Sequence, residues 1–508
     1  MAIRLWTRPS AACRILVALL VGLFALPFDP ALGQGAGVKI DEPQIPQGVD
    51  VFDLSLEQTQ AYSRSLNFKV VGHSYLKGPH LTAKAQAAGT GAGINSLRVH
   101  NGIAYLAGYS EPSILFGLLI ADVSNPKDMK VLSSVPCNPG TRCPYVRVNT
   151  KRHVMVATHD ANHDNPIQPP GGPSKAQAGV SFTDVSNPRS PRPLGFYLTA
   201  VGGATHGFEI DDNFVYTCAS MPESAAPGVA NQELVIIDYR NPTNPTVAGR
   251  LHLPGQHMGE AYRTRDRLNP DGSPQRIWCH EITLHKGRLY IAWRDAGLVV
   301  VDVTSPSKPK ILGELDYVPP FNGGALGAAH TAAPVIADPN KHPDLLILTD
   351  EIFDCPPGVG RIVDVSDLKN PEVEKGVRDA NLQIISGYRI PHVNDVFDVG
   401  EGKFVCPPGQ QSMHLPWFDH RSPSLLYQAW YDQGVRVWDI SNPFVPREVG
   451  YYLSPKYASV GLVDRHTREV FQDPDTDLIY VTDGNGGGLT VLEWTGPIPK
   501  NPPIPAAR

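Results

Sequence analysis

Apolar runs long enough to cross a membrane are missing from this 508-residue chain. The longest, Ile15 to Leu26, falls well short of the roughly 20 residues a spanning helix needs. Charge is sparse too, at 19% of residues, and 44 basic against 50 acidic side chains give no bulk attraction for phosphate backbones, which argues against nucleic acid as a partner. The chain has no HExxH, no GxSxG and no Walker loop, so three familiar hydrolytic and phosphate-binding chemistries drop out. The glycines between 484 and 488 lie between two strand-like segments, whereas a phosphate loop leads into a helix.

The short apolar run has a different use. Arg4, Arg8 and Arg14 precede it and Ala31-Leu32-Gly33 follows it, the layout of a secretory signal peptide over residues 1–33 with cleavage near Gln34. Cleavage removes three Arg and Asp29, leaving 41 basic and 49 acidic residues and no membrane span. The expected location is the periplasm or the exterior. Six of the seven cysteines remain, in a compartment where disulfides persist. Cys137 and Cys143 bracket the short loop CNPGTRC and are expected to pair, and Cys355 and Cys406, each opening a Cys-Pro-Pro-Gly segment, form a second candidate pair. Cys218 and Cys279 could pair or stay free.

What the chain has in quantity is proline and glycine, 49 and 47 residues, gathered at the boundaries of a repeat. Seven times a short apolar strand runs into a turn that ends in Pro: near 117–126, 178–188, 232–242, 296–306, 359–371, 433–443 and 487–497. The first six strands end in Asp, and the side chains of Asp, Ser and Asn before Pro make the turn. The period, roughly 50 to 75 residues, is that of a four-stranded propeller blade with long loops. In the clearest copy HEITLH (280–285), RLYIAW (288–293), GLVVVDV (297–303) and PKILGELDY (309–317) read as four antiparallel strands.

The predicted fold is therefore all-β, a seven-bladed propeller over residues 34–497 with a Pro-rich tail at 498–508. Residues 68–76, FKVVGHSYL, resemble the fourth strands of later blades yet precede any complete blade, and the last repeat has only three strands. The N-terminal strand is thus expected to complete the last blade and close the ring. Third strands such as LVIID and LVVVD, with their SNP or TSP turns, resemble the LVIVD repeat family of bacterial β-propellers. That resemblance implies architecture and supplies no catalytic motif.

Aligned first strands show a second regularity. His206, His280, His330, His414 and His466 stand at the mouth of the innermost strand in blades three to seven, with Asn95 and Tyr145 at the corresponding places in blades one and two. Innermost strands run in one direction around the channel, so these residues form a circle at one end of it. Neutral imidazoles converging there could bind Cu, Fe or Zn. Rim candidates for a ligand are Trp293, Arg294, Trp430, Tyr431, His159 and His163. Two functions fit: a metal-dependent oxidoreductase acting on a small molecule, favoured over a hydrolase because no carboxylate stands in an obvious general-base position, or a non-catalytic propeller binding a small molecule or protein.

Overall fold

The computed structural model describes residues 40–503 except 41, 44, 82, 109–116, 162–175, 223–231, 258–259, 261–276, 316–328, 353–356, 391–396, 399–402, 405–410, 457–464 and 501–502. They build seven antiparallel sheets arranged as propeller blades, six of four strands and one of five, and one hairpin outside them, Phe397–Asp398 with Lys403–Phe404. The innermost strands are Ile94–His100, Val146–Asn149, Thr205–Ile210, Glu281–His285, Ala329–Pro334, Pro416–Asp419 and Thr467–Gln472, in blades one to seven. Among the described residues no helix is long and apolar enough to cross a membrane.

Each third strand (for example Glu233–Asp238 or Leu298–Asp302) is apolar because both of its faces meet a neighbouring blade. The core is accordingly divided into clusters between adjacent blades. Trp293, Cys218 and Ile291 pack between blades three and four, Tyr290, Leu298 and Leu346 between four and five, and Tyr427, Val437 and Leu492 between six and seven. The acidic residue closing the strand makes the turn: Asp122, Asp302, Asp364 and others accept from the backbone N–H two residues on.

The proline of that turn has a further contact. Its carbonyl lies against the fourth strand of the preceding blade, so close that a Cβ on Gly72, Gly195 or Gly249 would meet the carbonyl oxygen of Pro126, Pro242 or Pro306 at 2.0–2.2 Å. Where serine stands instead, its hydroxyl uses the same acceptor: Ser133 Oγ donates to Pro188 O at 2.6 Å, and Ser386 Oγ donates to Pro443 O. The repeat therefore specifies how blades stack as well as how strands turn.

Strand Phe68–Ser74 pairs antiparallel with Leu489–Trp494, with Phe68 opposite Trp494, and takes the outermost place in blade seven. Arg64–Leu66, just before it, adds a fifth strand to blade six by pairing with Arg447–Leu453.

Candidate metal centre

His206 and His330 are the second residues of their innermost strands, while His280, His414 and His466 stand one or two residues before theirs. This common placement brings all five to one end of the channel. Ring centroids lie 4.6 Å apart for His206 and His280, 4.5 Å for His280 and His330, and 4.4 Å for His330 and His414. Tyr431 is inserted between His414 and His466, 5.3 and 4.6 Å from them, and Tyr145 continues the arc 5.2 Å beyond His206. Asn95 is buried and donates to Pro144 O.

The rings are oriented by partners on their far nitrogens. His206 Nδ1 donates to Asp160 Oδ2 at 3.0 Å, and His414 Nδ1 to the Arg468 carbonyl at 2.5 Å. His466 Nδ1 donates to Asn485 Oδ1 at 3.2 Å. In neutral imidazole this leaves Nε2 as the lone-pair nitrogen in all three, the arrangement that outer partners impose on ligating histidines. Burial lowers the pKa of every one, to about 3 for His414 and well below the ordinary value for His280, His330 and His466. They are therefore neutral and competent as ligands at physiological pH.

Two carboxylates stand among them, where the sequence showed none in an obvious general-base position. Consecutive residues of a strand point to opposite faces, and in a propeller both faces look toward a neighbouring blade, so Glu281 next to His280 also reaches the cup. Burial pushes its carboxyl up to about 8, opposed by a hydrogen bond with Tyr145 and by the charge of Arg147. Glu351 follows the second strand of blade five. Burial alone would raise it, but the guanidinium groups of Arg294 and Arg468 hold it well below the usual carboxylate range. Tyr431 Oη donates to Glu351, and Arg468 donates to Tyr431 Oη at 2.7 Å.

Arg294 and Tyr431 occupy the same position in two blades. The hairpins AWRDAG and AWYDQG place them at φ +42° and +20°, sparsely populated for side chains of this size, and the backbone of each bridges to the innermost strand of the next blade. Arg294 donates to His280 Nε2 at 2.5 Å and to Glu351 Oε2 at 2.8 Å.

Among the described residues, two groups here bring potential ligand atoms within 4.8 Å of one another: His206, His280 and Glu281, and His280, His330 and Glu351. They are not equivalent. In the second, the Arg294 guanidinium already lies between His280 and Glu351. In the first, His280 Nδ1 and Glu281 Oε1 are both buried with no hydrogen-bond partner, although buried polar atoms are ordinarily satisfied. Two imidazoles and a carboxylate around two orphaned atoms fit a transition-metal ion.

Deeper in the channel is a second charged layer, Arg98, Arg147, Glu209 and Glu469. Arg98 pairs with Glu469 at 2.8 Å and Arg147 with Glu209 at 2.8 Å.

The other rim candidates are elsewhere. Trp293 and Trp430 are 0% exposed in the clusters between blades and do not line the cup. His159 is held inside blade two, where Asn138 N donates to its Nδ1 at 3.1 Å and Nε2 hydrogen-bonds to Ser181 Oγ at 2.8 Å. His163, Cys355 and Cys406 fall outside the described residues. Cys137 is bonded to Cys143, and Cys218 to Cys279, which ties the residue before His280 to blade three. Glu281, Arg468 and the deeper charged layer went unnoticed in the sequence, although Glu281 and Glu469 each stand within three residues of a ring histidine.

The LVIVD repeat model matches residues 228–252 and 281–316, in blades three and four. Among solved structures the chain is similar to the computationally designed Ika8 protein (10% identity over 84% of this chain and 99% of that one, TM-score 0.43). It is also similar to Chaetomium thermophilum Sqt1 bound to the N-terminus of ribosomal protein L10 (11%, 79% and 84%, TM-score 0.45). A third is the Cps50 (Swd1) β-propeller domain of Myceliophteria thermophila (9%, 79% and 96%, TM-score 0.46). No curated protein sequence matches the chain. The chain thus carries LVIVD repeats in two of the blades of a seven-bladed β-propeller.

Proposed function

We propose that this is an exported metalloprotein that carries out redox chemistry on a small molecule at the mouth of its channel, with Cu, Fe or Zn as the candidate ions and the first two as the redox-active ones. The observation that carries the reading is the pair of orphaned buried atoms, His280 Nδ1 and Glu281 Oε1, beside His206. His206, His280 and Glu281 would hold the ion. Bound there, a redox-active metal supplies one-electron chemistry that no side chain of this site offers.

The chain's own residues do the rest. Asp160 orients His206 and carries the charge of Arg142, whose Nη2 lies 2.9 Å from it. Metal binding requires Glu281 to give up its proton and Arg294 to release His280 while keeping Glu351. Arg294 and Arg468, opposed by the single carboxylate of Glu351, leave the cup net positive at neutral pH and suited to an anionic or polarised substrate. Burial of the five imidazoles keeps bulk water from competing for the ion.

The test needs no substrate. Copper-loaded protein is reduced anaerobically and re-exposed to dioxygen while electron paramagnetic resonance follows Cu(II). Reversible loss and return of the signal with the metal retained is expected. Release of copper on reduction, or a centre that cannot be reduced, would favour the binding propeller instead.

A further inference from the structure

A second cluster lies outside the histidine arc, on the outer part of blade three. Glu233 opens the third strand of that blade, and His252 directly follows the fourth, Thr246–Leu251. Because Leu234 pairs with Leu251, Glu233 and His252 are neighbours across the ladder. A tight turn then brings His257 back over His252. Leu253 N donates to Gln256 Oε1 at 2.6 Å, and Glu260 Oε2 accepts from Gly255 N at 3.0 Å and His257 N at 3.3 Å. The two imidazoles stack with centroids 3.7 Å apart and planes 15° from parallel.

Each stacked ring meets a carboxylate through the same nitrogen. His257 Nε2 is 2.6 Å from Glu233 Oε2, and His252 Nε2 is 2.9 Å from Glu260 Oε1. Glu233 is fully buried, and its other oxygen accepts from Arg250 Nε at 2.5 Å. One ligand atom each of Glu233, His252 and His257 lie within 4.8 Å of one another.

We propose that Glu233, His252 and His257, with Glu260 as a fourth donor, form a second metal site for a divalent borderline cation of the Zn2+ type. Two bonds of about 2.0–2.1 Å at a tetrahedral angle put ligand atoms about 3.3 Å apart, a separation within small side-chain adjustments of the 4.8 Å that encloses these ligand atoms. Glu233 and Glu260 would offset the charge of such a cation.

The site has a structural consequence for the channel. Gln256, between the two histidines, donates from Nε2 to the carbonyls of Gln232 and Ile277, both at 2.8 Å, and Cys279 N donates to Gln232 O at 2.9 Å. An ion fixing residues 252–257 therefore braces the segment 277–279 that leads into His280.

Zn2+ content tests this directly. Mature protein is stripped with chelator, dialysed against Zn2+ and counted by inductively coupled plasma mass spectrometry, wild type beside His252→Gln, His257→Gln and His280→Ala. His252→Gln and His257→Gln should each bind one equivalent fewer than wild type, with the far-UV spectra of the stripped proteins unchanged. The His252 side chain is one-third exposed, which makes its replacement the less disruptive of the two. Zinc content equal to wild type in the folded His252→Gln and His257→Gln proteins overturns the proposal. His280→Ala should keep the outer equivalent, so failure of the central site would be seen separately as no change in that variant.

Discussion

Lowering the pH from 6.5 to 5 should destabilise the metal-free propeller, and the structure gives the sign and scale. His159 and His414 are buried, and burial lowers their pKa from 6.5 to about 4 and about 3. The folded state then binds fewer protons than the unfolded state below pH 6.5, so stability falls as pH drops. Over 1.5 pH units at about 1.4 kcal/mol per unit, each costs about 2 kcal/mol, about 4 together. Glu281 acts the other way. Its carboxyl, raised by burial from 4.5 to about 8, keeps a proton in the folded state that the unfolded chain has lost, so it returns about 2 kcal/mol over the same window. Asp483, also raised by burial, works with Glu281, while His280, His330 and His466 work with the two histidines. The expected net loss is at least about 2 kcal/mol at pH 5, against a typical total of about 5–15. Equilibrium denaturation followed by tryptophan fluorescence at pH 7, 6.5, 5.5 and 5 measures it. A free energy of unfolding that stays flat or rises toward pH 5 would refute the assignment of neutral buried imidazoles.

Other consequences follow from single contacts. Phe68→Ala should cost about 3–5 kcal/mol in chemical denaturation, since Phe68 is buried against Trp494 and Tyr427 where the N-terminal strand completes blade seven; a loss under about 1 kcal/mol would show that this strand is not integral to the blade. Arg294→Gln should tighten metal binding at least about tenfold in a competitive chelator titration, because it removes a cation hydrogen-bonded to His280, and weaker binding would place the ion elsewhere. Peptide mapping of exported protein should find a new N-terminus near Gln34 and Cys355 joined to Cys406; an intact Met1 or a free Cys355 thiol would contradict the respective expectation.

The blades were legible because the repeat encodes its own geometry. An acidic residue caps the third strand, and at five of the turns the following proline carbonyl packs against a Gly or Ser of the previous blade, so successive copies mark successive blades. The circle of histidines could be read for a related reason: equivalent positions in repeats become equivalent positions around the channel. What differs between repeats was harder. Glu281 reads as an ordinary strand residue, and only the blade stacking shows that both faces of an innermost strand reach the cup. Trp293 and Trp430 looked like pocket aromatics, yet the positive φ of the next residue sends Arg294 and Tyr431 into the cup and leaves each tryptophan in the core. The outer cluster was invisible, because Glu233 meets His252 and His257 only through strand pairing and the turn after it.

The central claim is that His206, His280 and Glu281 share one ion, and stoichiometry tests it most directly. In protein carrying His252→Gln and His257→Gln, so that the outer cluster is silent, Cu2+ or Zn2+ titrated into the stripped protein and counted after gel filtration should bind at one equivalent. Adding His280→Ala should reduce that to none, with the fold intact by circular dichroism. One equivalent persisting in the folded His280→Ala protein, or no binding by its folded parent, would contradict the account.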